Sequence, residues 1–291
     1  MIEKRLDGRL VAEKILQTMA QEVQKFRGAC APKVAFVRVG EDPASVSYIH
    51  QKRKTAERVG IETELRVLST DVSFAALAAQ IEELNEDPRV HGILIQSPLP
   101  QGLDFPRACD LINPAKDVDG FGKNHLGELM RGNHSGFIPC TPAGIIELLK
   151  HYRIQTTGKH VVILNRSLIV GKPLGLLLLE RGPFGDATVT FAHSKTRHLS
   201  SRTREADILI TACGQPRLIT PEFVQEGAVV IDVGITRQIG PNGRDRLQGD
   251  VDFEAVYPKV SHITPVPGGV GPLTVALLMR NTLKAYGAQI A

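Results

Sequence analysis

The stretch "KVAFVRVGEDPASVSYIHQKRKTAERVG", residues 33–60, places a strand directly before a helix. Its first part is rich in valine and ends at Gly40, a pattern typical of a buried strand. We expect Asp42 to cap the helix, Pro43 to occupy its first position and Gly60 to end it. The stretch therefore predicts one strand–helix unit of an α/β fold.

The same alternation continues on both sides of this stretch. Apolar residues at three- and four-residue steps predict a helix over 6–26, and the residues that follow predict a strand at 61–68, a helix at 73–86 and a strand at 90–96. A β-α-β-α-β order implies a parallel sheet with helices on both of its faces. Residues 97–140 are rich in Pro, Gly, Asp and Asn, which predicts an irregular binding region or linker.

A second alternating series follows, so the fold class is α/β with two domains. We predict elements in this order: helix 141–152, strand 160–164, helix 171–180, strands near 187–192, 207–212 and 228–233, and a glycine-rich loop leading into a last helix with Pro272 near its start.

Composition limits the possible functions. The 291 residues are 42% hydrophobic and 23% charged, with a net charge of +4 that is spread along the chain. This distribution favours small anionic ligands over nucleic acid, and the absence of a signal peptide and of a long apolar run argues against a membrane and for the cytoplasm. Four scattered cysteines without metal-ligand spacing predict reduced, mostly buried thiols and no metal site.

The second series carries a nucleotide signature in "HVVILNRSLIVGKPLGLLLL", where a buried strand, a tight loop and a helix follow one another. An ordinary strand–helix turn would look similar, since the usual G-x-G-x-x-G spacing is missing. The next strand ends in "VTFAHSKTR" without the carboxylate that NAD sites use. Ser194, Lys195, Thr196 and Arg166 would instead suit a 2′-phosphate, which favours NADP, although a solvated polar turn is the alternative.

The first series holds candidate catalytic groups. Tyr48 and Lys52 are four residues apart, so they share one side of the helix, although such pairs are also common on surfaces. Gln96 ends a buried strand, where parallel sheets collect ligands. Asp117 and Asp119 lie in a loop that would also be explained by a simple Asp-Gly turn.

Taken together, ten short motifs are similar to those of one enzyme family. They are "VGEDPASVSYIHQK" (39–52), "QSPLP" (96–100), "KDVDG" (116–120), "PCTP" (139–142), "RSLIVGKPL" (166–174), "HSKT" (193–196), "GQP" (214–216), "IDVG" (231–234), "GDV" (249–251) and "TPVPGGVGPLT" (264–274). In order and spacing they resemble the bifunctional methylenetetrahydrofolate dehydrogenase/methenyltetrahydrofolate cyclohydrolase family, often called FolD.

This resemblance implies a fold and two reactions. It implies two α/β domains flanking a cleft, a catalytic domain at 1–140 completed by the last helix 271–291, and a Rossmann-like NADP-binding domain at 141–270, usually in a homodimer. It also implies oxidation of 5,10-methylenetetrahydrofolate with NADP, followed by hydrolysis to 10-formyltetrahydrofolate. The substrates would be tetrahydrofolates with or without a polyglutamate tail.

The resemblance also implies the roles of individual residues. The catalytic residues would be Lys52, Tyr48, Gln96 and Asp119, with Lys52 as the base of the hydrolysis and Asp119 holding the pterin. Further substrate contacts would come from Pro267, Gly268 and Gly269. The cofactor would be bound by Asn165, Arg166, Ser167, Gly171, Pro173, His193, Ser194, Gly214, Ile235 and Thr274.

Two physical expectations follow from these roles. An ordinary lysine is neutral in only about one molecule in 2500 at pH 7, so Lys52 needs a lowered pKa, which partial burial and a cationic substrate would provide. Asn165 stands where the family usually has glycine. If the position requires positive φ, asparagine preserves the turn, but its side chain would crowd the cofactor, and Asn165→Gly would then restore affinity.

Two other functions compete with this interpretation. A shikimate dehydrogenase-like NADP enzyme would explain residues 160–235 but leaves the "YIHQK", "KDVDG" and "TPVPGGVGP" motifs without a role. A folate-binding or scaffolding protein without catalysis would have no need for Tyr48, Lys52, Gln96 and Asp119 together. Measured turnover separates the three.

Overall fold

The computed structural model describes residues 4–26, 30–239 and 245–290. The chain divides into two compact units, each containing its own parallel sheet. The three-stranded unit comprises residues 13–140 and 275–291, and the five-stranded unit comprises residues 1–12 and 141–274.

The helices and strands alternate along much of the chain, with consecutive helices between residues 105 and 151 and consecutive strands between residues 229 and 248. Up to residue 130 they are α1 (Gly8–Lys25), β1 (Lys33–Val39), α2 (Pro43–Val59), β2 (Glu62–Leu68), α3 (Phe74–Glu86), β3 (Gly92–Ile95), α4 (Phe105–Cys109) and α5 (Lys123–Met130). The later ones are α6 (Cys140–His151), β4 (His160–Leu164), α7 (Gly171–Leu179), β5 (Thr188–Ala192), α8 (Leu199–Thr203), β6 (Ile208–Thr211), a 3₁₀ turn (Pro221–Phe223), β7 (Val229–Asp232), β8 (Thr236–Ile239), β9 (Asp245–Gln248), α9 (Phe253–Val256), β10 (His262–Ile263) and α10 (Val270–Ile290).

The sheet of the three-stranded unit has the order β2-β1-β3, with both neighbours parallel to β1. Successive residues of β1 point to opposite faces, yet Val34, Ala35, Phe36 and Val37 are all fully buried, so both faces of this central strand are covered. Ala35 and Val37 belong to a core that also contains Leu77 of α3. The predicted parallel sheet is confirmed here.

The region predicted to be irregular, residues 97–140, contains two short helices, so the prediction was incomplete. α4 begins with the Asp104 side chain accepting a hydrogen bond from the Arg107 N–H, and Pro106 lies in its first turn. α5 has no side-chain cap. Helices of five and eight residues are too short to show a clear 3.6-residue apolar repeat.

The sheet of the five-stranded unit has the order β10-β7-β6-β4-β5, and all its pairs are parallel. This is the Rossmann-like sheet that the sequence predicts. The chain start also pairs with it, since the Leu6 N–H donates to the Ile263 carbonyl at 2.8 Å. The sequence patterns did not predict α8, α9, β10 or the antiparallel hairpin β8–β9, all of which have five or fewer residues.

Three chain-wide features bear on the other predictions. All four cysteines are free, but only Cys109 and Cys140 are buried, and Cys30 is exposed, so the expected burial holds for half of them. Among the described helices, none is both long and apolar enough to cross a bilayer. Within the described ranges, no group of three His, Cys, Asp or Glu is arranged to hold a metal ion.

Candidate active site

Helix α2 is capped at both ends and has one buried side. The Asp42 carboxylate accepts the Ser45 N–H at 2.7 Å, and Gly60 ends the helix in the left-handed region with φ of 84°. Both caps are those predicted from the sequence. The buried residues recur at helical spacing and are Ser45, Ile49, Lys52, Ala56 and Val59.

Lys52 is therefore a lysine on the apolar side of a helix. Its residue is 8% exposed, and its Nζ donates a hydrogen bond to Gln96 Oε1 at 3.0 Å. Gln96 Nε2 donates to the Ser97 carbonyl at 2.7 Å, so the amide oxygen faces the lysine. Burial lowers the pKa of Lys52, as the sequence argument requires of a lysine base.

Tyr48 lies one helical turn before Lys52. It is half-buried, whereas its neighbours Ser47 and Val46 are exposed. The spacing of four residues places the ring on the same side of α2 as the lysine. The shared side that the sequence predicts is therefore consistent with the burial pattern.

Asp119 and Cys140 adjoin Lys52 within the three-stranded unit. Burial raises the pKa of Asp119, and the positive charge of Lys52 opposes this rise. Burial also raises the pKa of the Cys140 thiol well above its usual value, so the thiol stays protonated, and its Sγ donates to the Val118 carbonyl at 3.6 Å. The charge of Asp119 in turn opposes the fall in the pKa of Lys52. Each of the two charged groups thus stabilises the charged form of the other.

The two aspartates of "KDVDG" have different environments. The Asp117 carboxylate accepts the N–H groups of Gly120 at 3.1 Å and Gly122 at 2.8 Å, and burial raises its pKa to about 7. Asp117 therefore closes the Asp-Gly turn that the sequence suggests. Asp119 is the aspartate that adjoins Lys52, and its contact with a pterin stays a prediction.

The "KDVDG" loop is held by two side chains to which sequence reasoning assigned no role. Lys116 Nζ donates to the carbonyls of Leu84, Asn85 and Asp87 at 3.1, 2.7 and 2.8 Å, and so caps the end of α3. Asn281 Nδ2 donates to the Val118 carbonyl at 2.9 Å. Lys116 was visible as part of the motif, whereas Asn281 comes from 163 residues away and has no local sequence signal.

The loop 264–270 belongs to the five-stranded unit. Gly268 has φ of 109°, which favours glycine, and its carbonyl accepts the Gly8 N–H at 3.0 Å and the Arg9 N–H at 3.2 Å. A Cβ on Gly269 would lie 2.6 Å from the Pro265 carbonyl oxygen. Positive φ and packing against Arg9 account for Gly268, packing within the loop accounts for Gly269, and Pro267 is exposed at the surface of this unit. Their contact with substrate stays a prediction.

The candidate cofactor loops all follow the carboxyl ends of strands in the five-stranded sheet. β4 pairs with β5 on one side and with β6 on the other, so the strand order reverses there. Such a reversal is where α/β sheets bind nucleotides. Asn165 directly follows β4 and sits at this point.

Asn165 uses its side chain to connect the two loops at the reversal point. Its Oδ1 accepts the Ser167 N–H and hydroxyl, each at 2.8 Å, and the Gly171 N–H at 3.0 Å, while its Nδ2 donates to the Ala212 carbonyl at 2.6 Å. Asn165 is not among the described non-glycine residues with positive φ. Positive φ is therefore not the reason for asparagine here. The amide is hydrogen-bonded within the protein, and the crowding of the cofactor expected from the sequence stays a prediction.

The loop after β5 fits a 2′-phosphorylated cofactor. His193 and Thr196 close the turn, with the His193 N–H donating to the Thr196 hydroxyl at 2.9 Å, while Ser194 and Lys195 remain exposed. Arg166 is exposed as well. Residues 193–198 contain donors and cations but no carboxylate, so they suit a phosphate better than a free ribose hydroxyl.

The remaining predicted cofactor residues occupy the same edge or the first turn of α7. Gly214 has φ of 66°, and a Cβ there would meet no atom within 4 Å, so its backbone can be approached from outside. Gly171 and Pro173 are buried in the first turn of α7, and Ile235, after β7, is half-buried. Thr274 lies in α10, where its hydroxyl is 3.1 Å from that of Thr141.

Comparison with known proteins supplies the family. Residues 6–119 match the family model of the tetrahydrofolate dehydrogenase/cyclohydrolase catalytic domain, and residues 139–290 match the model of the NAD(P)-binding domain of the same family. The chain belongs to this family. Bifunctional protein FolD of Aquifex aeolicus is 48% identical over 288 residues, covering 98% of this chain and 96% of that protein.

Solved structures of the family agree with this membership. FolD of Campylobacter jejuni is 43% identical with a TM-score of 0.90, covering 97% of this chain and 98% of that one. The Trypanosoma brucei enzyme, solved with NADP cofactor and an inhibitor, is 36% identical with a TM-score of 0.91, covering 98% of this chain and 97% of that one.

Family membership decides between the functions weighed from the sequence. The predicted α/β fold, the two tetrahydrofolate activities and NADP as cofactor are confirmed. The shikimate dehydrogenase-like alternative is set aside, because both halves of the chain match the tetrahydrofolate dehydrogenase/cyclohydrolase family. The non-catalytic binding protein is set aside as well, because the family members are enzymes.

Proposed function

We propose that Lys52 is the general base of the cyclohydrolase reaction, that Gln96 and Tyr48 orient its amine and the substrate, and that Asp119 binds the pterin. The observation that carries this proposal is the hydrogen bond of 3.0 Å from the buried Lys52 Nζ to Gln96 Oε1, beside Asp119. The structural lysine Lys116 differs, because its Nζ donates to three backbone carbonyl oxygens, whereas the one printed hydrogen bond of Lys52 Nζ leaves its other N–H positions for a substrate or water.

The dehydrogenase reaction requires mainly positioning from the protein. When bound, NADP supplies the hydride acceptor. Loss of hydride from the methylene bridge leaves a cation delocalised over two nitrogens, so the substrate needs no strong base at this step. We assign the 2′-phosphate to Arg166, Ser194 and Lys195, and the close backbone approach to Gly214, because a Cβ would occupy the open space there.

The hydrolytic reaction requires a base, because water must lose a proton as it attacks the methenyl carbon. A neutral lysine amine has two N–H groups and one lone pair. One N–H donates to Gln96 Oε1, which orients the lone pair away from the amide. The lone pair then accepts the proton from water as the C–O bond forms, and the resulting ammonium returns it to N5 as the C–N5 bond breaks; loss of the remaining hydroxyl proton to solvent leaves 10-formyltetrahydrofolate. The lowered pKa of Lys52 increases the fraction of enzyme in which the neutral amine is available.

Asp119 links substrate binding to the state of the base. Its negative charge opposes the fall in the pKa of Lys52. The amino group and adjacent ring N–H of a pterin form a two-donor edge that suits a carboxylate. Once these donors and the methenyl cation are bound, the charge of Asp119 is compensated, and Lys52 loses its proton more readily.

The other expectations belong to the same proposal. The three-stranded unit would bind folate and the five-stranded unit NADP, corresponding to the predicted domains 1–140 with 271–291 and 141–270. The enzyme would act as a cytoplasmic homodimer without nucleic acid or membrane as a partner. It would use tetrahydrofolates, with or without a polyglutamate tail, and supply 10-formyltetrahydrofolate for purine biosynthesis.

A spectrophotometric assay tests the proposal. Purified protein is given methylenetetrahydrofolate with NADP, and in a parallel reaction with NAD, while NADPH or NADH formation is followed. Hydrolysis is measured separately from the decay of added methenyltetrahydrofolate. We expect both activities and a preference for NADP; absence of hydrolysis, or a preference for NAD, would contradict the assignment of Lys52 or of the phosphate-binding residues, respectively.

A further inference from the structure

Two aspartates without an assigned role are buried at the carboxyl edge of the five-stranded sheet. Asp232, the last residue of β7, is 3% exposed, and Asp250, two residues after β9, is fully buried. Burying a carboxylate is unfavourable unless hydrogen bonds replace its lost hydration. Each of the two accepts three hydrogen bonds from the protein, so both have a defined set of partners.

The partners of Asp250 come from the last residue of β6 and from the segment that follows it. Its Oδ2 accepts the Thr211 hydroxyl at 2.9 Å and the Cys213 N–H at 2.7 Å, and its Oδ1 accepts the Gln215 N–H at 2.9 Å. The two backbone donors flank Gly214, whose φ is 66°. One carboxylate therefore determines the direction of the backbone on both sides of this glycine.

Asp232 holds Asp250 in turn. Asp232 Oδ1 accepts the N–H groups of Gly234 at 2.9 Å and Asp250 at 3.1 Å, and Oδ2 accepts that of Val251 at 2.9 Å. Burial raises the pKa of Asp232 to about 7, and the charge of Asp250 contributes to this rise. The two carboxylates lie together although their negative charges repel each other. This electrostatic cost indicates that the hydrogen bonds made by both carboxylates are needed.

The glycines beside these carboxylates have no space for a side chain. A Cβ on Gly234 would lie 2.2 Å from Asp250 Cγ, and a Cβ on Gly249 would lie 2.0 Å from Asp232 Oδ2. From the other side, Asn165 donates to the Ala212 carbonyl at 2.6 Å. The segment 211–215 is consequently held by hydrogen bonds to side chains on both of its sides.

We propose that Asp250 is a positioning residue for NADP, which fixes the backbone at Gly214 in the conformation that binds the cofactor, and that Asp232 holds Asp250 in place. This inference rests on the proposed cofactor site. Asp250 itself does not contact the cofactor, because its carboxylate oxygens are buried and engaged by protein donors. Its effect on NADP is exerted through the backbone of residues 213–215.

Asp250→Asn is the first test variant. The amide has nearly the same size, but its NH₂ group must face either the Gln215 N–H or the pair formed by the Thr211 hydroxyl and the Cys213 N–H. We expect KM for NADP to rise roughly tenfold or more, with kcat at saturating NADP changed less than twofold. Hydrolysis of added methenyltetrahydrofolate, which consumes no NADP, is expected to stay at the wild-type rate.

Two further variants make the result specific. Asp207→Asn is the matched control, because Asp207 also accepts a backbone N–H, that of His160 at 2.9 Å, but lies before β6 at the opposite edge of the sheet. It is expected to leave KM for NADP unchanged. Arg166→Gln tests the cofactor site itself and is expected to raise KM for NADP by weakening the contact with the 2′-phosphate.

The outcomes separate the two proposals. If Arg166→Gln raises KM for NADP and Asp250→Asn does not, the positioning role is wrong and the cofactor site stands. If neither variant raises KM, the cofactor site is wrong and the inference falls with it. An equal rise in Asp207→Asn would mean general loosening of the sheet and would also overturn the inference.

If Asp250→Asn does not fold, Thr211→Val replaces it as the test of the positioning role. Thr211→Val keeps the shape of a fully buried side chain and removes only the hydroxyl that donates to Asp250. A severalfold rise in KM for NADP with unchanged hydrolysis supports the positioning role. An unchanged KM in folded Thr211→Val overturns it.

Discussion

Lys52 Nζ lies 3.0 Å from Gln96 Oε1, so the middle of α2 is joined to the end of β3 across 44 residues of sequence. The lysine is buried, and burial lowers its pKa. A lysine in this setting can exchange a proton near neutral pH more readily than one in water. The two activities of the enzyme should therefore respond differently to changes at this residue.

Replacement of Lys52 tests the base directly. In Lys52→Gln we expect hydrolysis of methenyltetrahydrofolate to fall by about 10²–10⁴-fold, because a positioned base typically contributes that much. NADPH formation should remain measurable, and methenyltetrahydrofolate should accumulate, since hydride transfer needs no base. Lys54→Gln, an exposed lysine of the same helix, is the matched control and should retain both activities. Full hydrolytic activity in Lys52→Gln would refute the assignment.

The pH dependence of hydrolysis should reflect the Lys52 amine. Because only the neutral amine accepts a proton, the rate should rise with pH and level off, with a midpoint below 10.5, the ordinary value for lysine. Asp119 opposes the fall in this pKa, so Asp119→Asn should move the midpoint to lower pH while raising KM for the folate. Rate–pH profiles of both proteins give this comparison. A midpoint displaced to higher pH in Asp119→Asn would contradict the proposed electrostatics.

The role of Asn165 leads to a prediction opposite to the one from sequence alone. Asn165→Gly removes three accepted hydrogen bonds within the loop after β4 and one donated hydrogen bond that joins this loop to the segment after β6. Loss of these hydrogen bonds should make the loops less ordered and weaken NADP binding by roughly tenfold or more, as measured by calorimetric titration. Hydrolysis of methenyltetrahydrofolate is the internal control and should not change. Tighter binding of NADP in Asn165→Gly would instead support the expectation from the sequence that the side chain crowds the cofactor.

Lys116 should matter for stability. Lys116→Met would leave carbonyl groups at the end of α3 without their charged donor, and we expect the free energy of unfolding to fall by about 2–4 kcal/mol. Urea unfolding gives the comparison. Lys123→Met replaces an exposed lysine at the start of α5 and should change the free energy of unfolding by less than about 0.5 kcal/mol. Equal effects of the two substitutions would show that the capping hydrogen bonds contribute little.

The regular elements were the most predictable part of the fold. The sequence places α2 between Asp42 and Gly60, and the structure has the same caps. Strand 160–164 is also found where it was predicted. Helix α2 carries a long apolar pattern and strong caps, and strand 160–164 is part of a continuous apolar run, whereas α4, α8 and the β8–β9 hairpin are too short to show an apolar repeat. The candidate catalytic residues were found through motifs, and their detailed roles stay predictions.

The sequence by itself determined the parallel α/β architecture, the family and the residue types available for chemistry. These follow from local periodicity and from short motifs that can be read directly from the sequence. Only the tertiary structure decided which carboxylate of "KDVDG" adjoins Lys52 and in which direction the Asn165 amide points. It also decided that Asp250 holds the backbone on both sides of Gly214. The physical reason is that burial, pKa and hydrogen-bond partners depend on groups far apart in the chain, and Asn281 with Val118, 163 residues apart, is one example.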